Sequence, residues 1–265
     1  MTPEQCQRAA ADLLAAEKSG KQIGLLSLSH PEMDMADAYA IQAELMAQKL
    51  ATGRSVVGWK IGLTSRAMQN ALGITIPDSG VLFDDMVFEN GATVPAGRFI
   101  QPRIEAEIAF VMRAPILGKV SREEVLDATA YVSPAIEILD TRIMRVDPDS
   151  GKSRNVFDTI SDNAANGGIV LGREQHPPRQ TDLRWVGAIV SRNGEVEETG
   201  LGAGVLNDPV AGIVWLAERL AAYGQGIEAG QTVLSGSFVR PIECPAGTSI
   251  SADYAEFGSV QVAFS

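Results

Sequence analysis

Cysteine and histidine are scarce in this chain, and what they cannot build narrows its chemistry. The two cysteines, Cys6 and Cys244, lie at opposite ends with no metal-like spacing, so neither a disulfide framework nor a zinc site is indicated. Histidine also occurs only twice, as His30 and His176. Positive charge is short: 22 Lys and Arg stand against 33 Asp and Glu, a net charge of -11. That balance repels a phosphate backbone or an anionic membrane surface, which argues against nucleic acid and membrane partners. No stretch approaches about eighteen uninterrupted apolar residues, and Met1-Thr2-Pro3-Glu4-Gln5 lacks the basic and apolar regions of a leader. The expectation is a soluble, cytoplasmic protein. Core material is ample, since 45% of the 265 residues are hydrophobic, enough for one large domain with a small extension.

Helical apolar spacing covers Pro3 to Ser19 and Asp34 to Ala51, with Gly20 and Gly53 as stop signals. Residues 1–54 read as a helical N-terminal extension and residues 55–265 as a β-rich catalytic domain. Short β-rich runs follow at Ser55 to Leu63, Gly80 to Phe83, Ile104 to Val111, Tyr131 to Leu139, Gly168 to Leu171, Arg184 to Ser191, Thr232 to Leu234 and Ser259 to Phe264. Asn193-Gly194 predicts a type I′ hairpin. Two helices interrupt the strands: Ser121 to Ala128, opened by the capping box Ser121-x-x-Glu124, and Asp208 to Tyr223, with Asp208 as N-cap and Pro209 after it. There is no internal repeat or Pro/Gly/Ser-rich linker to divide the β body.

The densest chemistry is Arg103-Ile104-Glu105-Ala106-Glu107-Ile108, followed thirty residues after Glu107 by Glu137 in Ala135-Ile136-Glu137-Ile138-Leu139. Side chains at i and i+2 of a strand share a face, so Glu105 and Glu107 project together, about 7 Å apart along the chain. If the two segments pair, three carboxylates converge where burying their ionised forms is prohibitive unless a hard divalent cation joins them. Three oxygen ligands suit magnesium, manganese or calcium and leave positions open for water and a chelating substrate. Glu-x-Glu on an exposed strand is ordinarily a solvated face. The apolar residues around both segments argue against that, but spacing alone leaves both readings open.

Three further clusters carry polar groups. Lys60, in Gly58-Trp59-Lys60-Ile61-Gly62-Leu63-Thr64-Ser65, stands inside an apolar strand. Desolvated beside a cation it would have a depressed pKa and could shuttle protons, or it could snorkel to the sheet edge. Phe157 to Gly168 is a polar, glycine-ended loop that could equally be a turn and N-cap. In Leu234-Ser235-Gly236-Ser237-Phe238, the glycine would let backbone N–H groups approach an anion.

These segments in this order, with Asp37-Ala38-Tyr39-Ala40-Ile41-Gln42, Leu82-Phe83-Asp84-Asp85-Met86 and Phe157-Asp158-Thr159-Ile160-Ser161-Asp162-Asn163-Ala164, resemble the fumarylacetoacetate hydrolase superfamily, in its hydratase and decarboxylase branch. The resemblance covers nearly the whole chain. It implies an α+β fold, with a mixed β-roll as catalytic body and the helical extension before it. It also implies Mg2+ or Mn2+ held by Glu105, Glu107 and Glu137, Lys60 as catalytic lysine, and Asp78 and Ser161 in the pocket. The implied activity is metal-dependent addition of water to a 2-hydroxy-2,4-dienoate or 2-oxo-4-enoate in aromatic catabolism. The expected conversion is 2-oxo-hept-4-ene-1,7-dioate to 4-hydroxy-2-oxoheptane-1,7-dioate. The alternatives are a 4-oxalocrotonate-type decarboxylation and hydration of 2-oxopent-4-enoate. Assembly as a homo-oligomer, with a pathway enzyme as a further partner, is implied too.

Two departures stand out: Trp59 precedes the lysine where relatives often carry histidine, and Ser79 follows the aspartate where they carry tyrosine. Acid–base work would then rest on Lys60, a carboxylate or water on the metal. With His30 and His176 outside the matched motifs, a serine or cysteine triad has little support. A seven-carbon dioate also needs a cation for its distal carboxylate, for which Arg66 and Arg154 are the candidates.

Overall fold

Each expected N-terminal helix carries its own start and stop. The computed structural model describes residues 1–66, 69–70 and 74–265. Helix α1 (Pro3–Ser19) opens on a Thr2 capping box with Pro3 in its first turn and closes on Gly20 at φ 66°, a left-handed cap that favours glycine. After the short α2 (Leu26–Ser29), α3 (Met35–Ala51) starts at Asp34, whose carboxylate accepts the Asp37 N–H while its own N–H donates to the Asp37 carboxylate. Ala9, Leu13, Ile41 and Leu45 of α1 and α3 share one apolar core with Ile61, Ile104 and Ile108 of the β body, each large side chain contributing roughly 1.5–3 kcal/mol. Gln42 adds polar ties, its Nε2 donating to Ser79 O at 2.8 Å and Ile160 O at 3.1 Å.

The body follows as β1 (Val56–Gly62), β2 (Asp78–Phe83), β3 (Val87–Phe88), β4 (Thr93–Val94), β5 (Arg103–Met112), α4 (Arg122–Ala128) and β6 (Thr129–Leu139). Then come α5 (Val156–Ser161), β7 (Asn166–Leu171), β8 (Gly187–Arg192), β9 (Glu195–Leu201), α6 (Pro209–Ala221), β10 (Thr232–Ser237), β11 (Ile242–Glu243), β12 (Ser249–Asp253) and β13 (Ser259–Phe264). Among the described residues they form two mixed sheets. One runs β2-β1-β10-β5-β6-β7-β3 with β11 added against β5, and the other runs β4-β13-β12-β8-β9. The result is an α+β fold. Within the first sheet β1 lies parallel to β10, while β5 is antiparallel to both β10 and β6. That order brings together segments far apart in sequence, and it sets Glu105 directly opposite Glu137.

The hairpin between β8 and β9 turns on Asn193 and Gly194, both at positive φ, 54° and 85°, as the type I′ reading requires. The expected loop from Phe157 differs. It contains α5, opened by an Asn155 capping box in which Asp158 returns to the Asn155 N–H, so the short polar side chains build a helix start rather than a plain turn. The strand β12 went unread because Ser249-Ile250-Ser251-Ala252-Asp253 is only weakly apolar. Its pairing with β8 and β13 buries Ile250 and Ala252 and makes it a strand. No helix among the described residues is long and apolar enough to cross a membrane.

Candidate metal centre and active site

Strand alternation and strand pairing together assemble the acidic cluster. Glu105 and Glu107 face the same way from β5, Glu137 meets them from β6, and one carboxylate oxygen of each lies within 4.8 Å of the others. Glu107 and Glu137 are fully buried. The Gly236 N–H donates to Glu107 Oε2 at 2.8 Å. Tyr254 holds the strand behind it, accepting the Glu107 N–H at 3.0 Å and donating to Ala135 O at 2.5 Å. Beyond an ion pair of Oε1 with Lys60 Nζ at 3.2 Å, neither oxygen of Glu137 has a hydrogen-bond partner.

Burial first, then Glu137, pushes the Glu105 carboxyl up to about 7 against the pull of Lys60 and Arg103. Burial with Glu137 and Glu105 drives Glu107 well above the carboxylate range, and burial raises Glu137 despite Lys60. Buried, mutually repelling carboxylates with unpartnered oxygens are what a divalent cation resolves, so the donor set fits a hard metal ion.

In the metal-free site Lys60 is an ammonium. Burial lowers its pKa, but Glu137, Asp78, Glu105 and Glu107 outweigh burial and leave the ammonium held above its ordinary value. Without a metal its neighbours are all carboxylates, and they keep it a cation. Asp78, paired across from Gly62 in the β1–β2 ladder, is raised by burial in spite of Lys60 and Arg154. Its Oδ1 is buried without a partner. A Cβ on Gly62 would lie 2.2 Å from that oxygen, so the glycine lets the carboxylate approach β1.

Lys60, Asp78 and Glu105 open onto a cavity of ≈ 380 Å³, whose wall also includes Arg103, Arg154 and Phe238. A larger groove of ≈ 1460 Å³, bordered by Trp185, Ile189 and Leu201, holds none of these charged groups. Ser161 does not enter the cavity wall. It is fully buried and its hydroxyl has no partner, because residues two apart on a helix face opposite ways and α5 gives Thr159 to the cavity. Of the two arginine candidates, Arg66 is exposed and outside the wall, whereas Arg154 lines it.

Trp59 and Ser79 do not line the cavity either. Each is one residue from a cavity residue, Lys60 or Asp78, and neighbouring side chains on a strand point to opposite faces. Trp59 packs in the core with its Nε1 donating to Gln231 Oε1 at 3.0 Å. His176 is stacked on Phe257 at 4.4 Å and is likewise outside this cavity.

Two features of the site escaped the sequence reading. Arg103 shares the face of Glu105 by the same i, i+2 rule, a signal that was present in the motif. The other is a left-handed turn at Asn163, Ala164 and Ala165, with φ of 52°, 53° and 56°, whose two alanines line the cavity. Each such residue costs roughly 1–2 kcal/mol, and a buried polar frame holds the turn in place. Asn163 accepts the Val81 N–H at 2.8 Å and donates to Val81 O at 2.9 Å. Arg142 brackets Asp162, with Nε to Oδ1 at 2.5 Å and its backbone N–H to Oδ2 at 2.8 Å. Ala-Ala offers no sign of such a turn.

The fold and the site thus define an acidic, metal-binding cavity beside a buried lysine, built on the longer of two mixed sheets. No family model matches the chain. The chain is 49% identical over 250 residues to 2-oxo-hept-4-ene-1,7-dioate hydratase of Escherichia coli, covering 94% of each chain. It superposes on 4-oxalocrotonate decarboxylase from Pseudomonas putida G7, complexed with magnesium and adipate, with a TM-score of 0.93 and 34% identity, covering 100% and 99% of the two chains. A putative fumarylacetoacetate hydrolase family protein from Yersinia pestis shares the fold alone, with a TM-score of 0.56 and 14% identity over 78% and 92%. This chain belongs to the hydratase and decarboxylase branch of the fumarylacetoacetate hydrolase superfamily.

Proposed function

We propose that this protein is a metal-dependent hydro-lyase of aromatic catabolism that adds water to a 2-oxo-4-enoate, converting 2-oxo-hept-4-ene-1,7-dioate to 4-hydroxy-2-oxoheptane-1,7-dioate. One observation carries the reading: Glu105, Glu107 and Glu137 converge beside Lys60 and Asp78, in a chain nearly half identical to a hydratase of that substrate. The three glutamates would hold Mg2+ or Mn2+. A bound ion of that kind supplies Lewis-acid stabilisation of negative charge on a substrate oxygen.

The chain's own groups account for the proton movements. Loss of a proton from C3 and gain of one at C5 moves the double bond into conjugation with the C2 carbonyl. Addition of hydroxide at C4 and a proton at C3 then completes hydration. Asp78, with its raised pKa, is the acid and base suited to these transfers. Lys60, kept protonated by the carboxylates around it, holds Glu137 through their ion pair and offsets charge as it develops on the substrate. The apolar wall, including Leu63 and Phe238, limits water to what the reaction consumes.

Residues 55–265 form the catalytic body in this reading, and residues 1–54 are an extension buttressing it through Gln42. Homo-oligomeric assembly and association with a pathway enzyme rest on the resemblance, and a cytoplasmic location on the sequence reading. A decarboxylase shares the fold, so product mass decides between the two reactions. Purified protein with magnesium and 2-hydroxyhepta-2,4-diene-1,7-dioate should yield a product heavier by one water, and a chelator should abolish it. Loss of carbon dioxide instead would overturn the hydratase assignment.

A further inference from the structure

Two cations of the cavity wall make no ion pair. Lys60 is paired with Glu137 and Arg240 with Glu198. Arg103 and Arg154 make no ion pair among the described residues. The Arg103 Nε is buried with no hydrogen-bond partner, and the side chain of Arg154 donates only through Nη1, to Thr141 Oγ1 at 2.5 Å. A guanidinium offers five N–H donors in a planar fork matched to a carboxylate. Two of them, half-buried and unpaired in a chain with a net charge of -11, are a costly arrangement unless an anion from outside completes it.

Their position says which anion. Arg103 stands two residues before Glu105 on the same strand face, about 7 Å along β5, and Arg154 lines the same cavity. The cavity is therefore acidic where the glutamates converge and cationic beside them. Under the function proposed above, on which this inference rests, the reacting end of the substrate belongs to the glutamate side. We propose that Arg103 and Arg154 form a second anion subsite that receives the distal carboxylate, so that the enzyme selects dianionic over monoanionic 2-oxo-4-enoates. Adipate, a dicarboxylate, is the ligand in the related decarboxylase structure.

The test compares kcat/KM for the seven-carbon dioate and for five-carbon 2-oxopent-4-enoate, in wild type and in Arg103→Met and Arg154→Met. Each variant should lose about 10- to 100-fold on the dioate, the worth of a charged hydrogen bond, mainly through KM. Turnover of the monocarboxylate should change by less than about threefold in Arg154→Met, which also reports an intact fold, and in Arg103→Met, whose guanidinium also acts on Glu105, it should fall by clearly less than the loss on the dioate. Arg154→Lys and Arg103→Lys, which keep the charge, should recover part of the loss and serve where a methionine variant does not fold. Adipate should inhibit wild type competitively and the methionine variants far less. Equal losses on both substrates would assign the arginines to the reacting end or to structure, and no loss on the dioate would remove them from binding; either overturns the inference. Wild type that hydrates both substrates without preference also overturns it and leaves the hydratase reading standing. Wild type that hydrates neither would overturn the hydratase reading itself.

Discussion

Removing one carboxylate from the acidic cluster should make the metal-free protein more stable at neutral pH, and the structure sets the size and sign of the effect. Glu105 titrates near 7 in the folded protein instead of the ordinary 4.5, because burial and Glu137 oppose its charge. Between those two values the folded state holds a proton that the unfolded state has released, so stability falls as pH rises through the window. At about 1.4 kcal/mol per pH unit, the full penalty is about 3 kcal/mol, most of which develops between pH 5 and pH 8. With an unfolding entropy of about 2.1 cal/mol/K per residue, that is a drop of about 4–5 °C in Tm. Glu107 and Glu137 are raised as well and add in the same direction. The assay is thermal unfolding of chelator-treated wild type and Glu105→Gln across that pH range. The variant should lose most of the wild type's decline above pH 5, and saturating magnesium should restore wild type at pH 8 by binding the folded state but should not restore the variant equally. Identical pH profiles for the two proteins without metal would refute the reasoning, since the three carboxylates would then not crowd one another.

Two further outcomes follow from the same geometry. Lys60→Met should lower kcat by on the order of 10²- to 10⁴-fold while manganese still binds, as read by electron paramagnetic resonance; turnover within about threefold of wild type would remove Lys60 from the reaction. Gly236→Ala places a Cβ 2.3 Å from Thr64 Oγ1 at a residue with φ of 117°, and the shift it forces displaces the N–H that holds Glu107. It should cost more than about 1–3 kcal/mol of stability and weaken metal binding, and a calorimetric titration showing wild-type affinity would exclude that coupling.

Local chemistry made much of this protein legible before any tertiary contact was known. Ser121 and Asp208 sit at the helix starts they announce, because capping is settled within one turn of chain. The Asn193-Gly194 turn was equally readable, since positive φ at two successive residues favours that pair. Alternation along β5 put Glu105 and Glu107 on one face, and the apolar run around Glu137 marked it as the third carboxylate. Where a strand lies in the sheet, however, is a long-range matter. Only the pairing of β5 with β6 sets Glu137 opposite Glu105, and only the β1–β2 ladder brings Asp78 to the lysine strand.

The electrostatic state of Lys60 was likewise undecided by sequence. A lysine in an apolar strand is depressed or raised according to the charges that meet it, and four carboxylates from three other strands do so here. The same holds for the residues next to them: Trp59 and Ser79 turn away from the cavity, and Ser161 is buried outside its wall. The left-handed Asn163-Ala164-Ala165 turn exists because the buried Asn163–Val81 and Arg142–Asp162 contacts offset its strain. The sequence by itself determined the elements, their caps and the inventory of charged groups, since these depend on neighbours within a few residues. The tertiary structure decided which charges share a cavity and which remain unpaired, because strand order and register act over distances that no local pattern encodes.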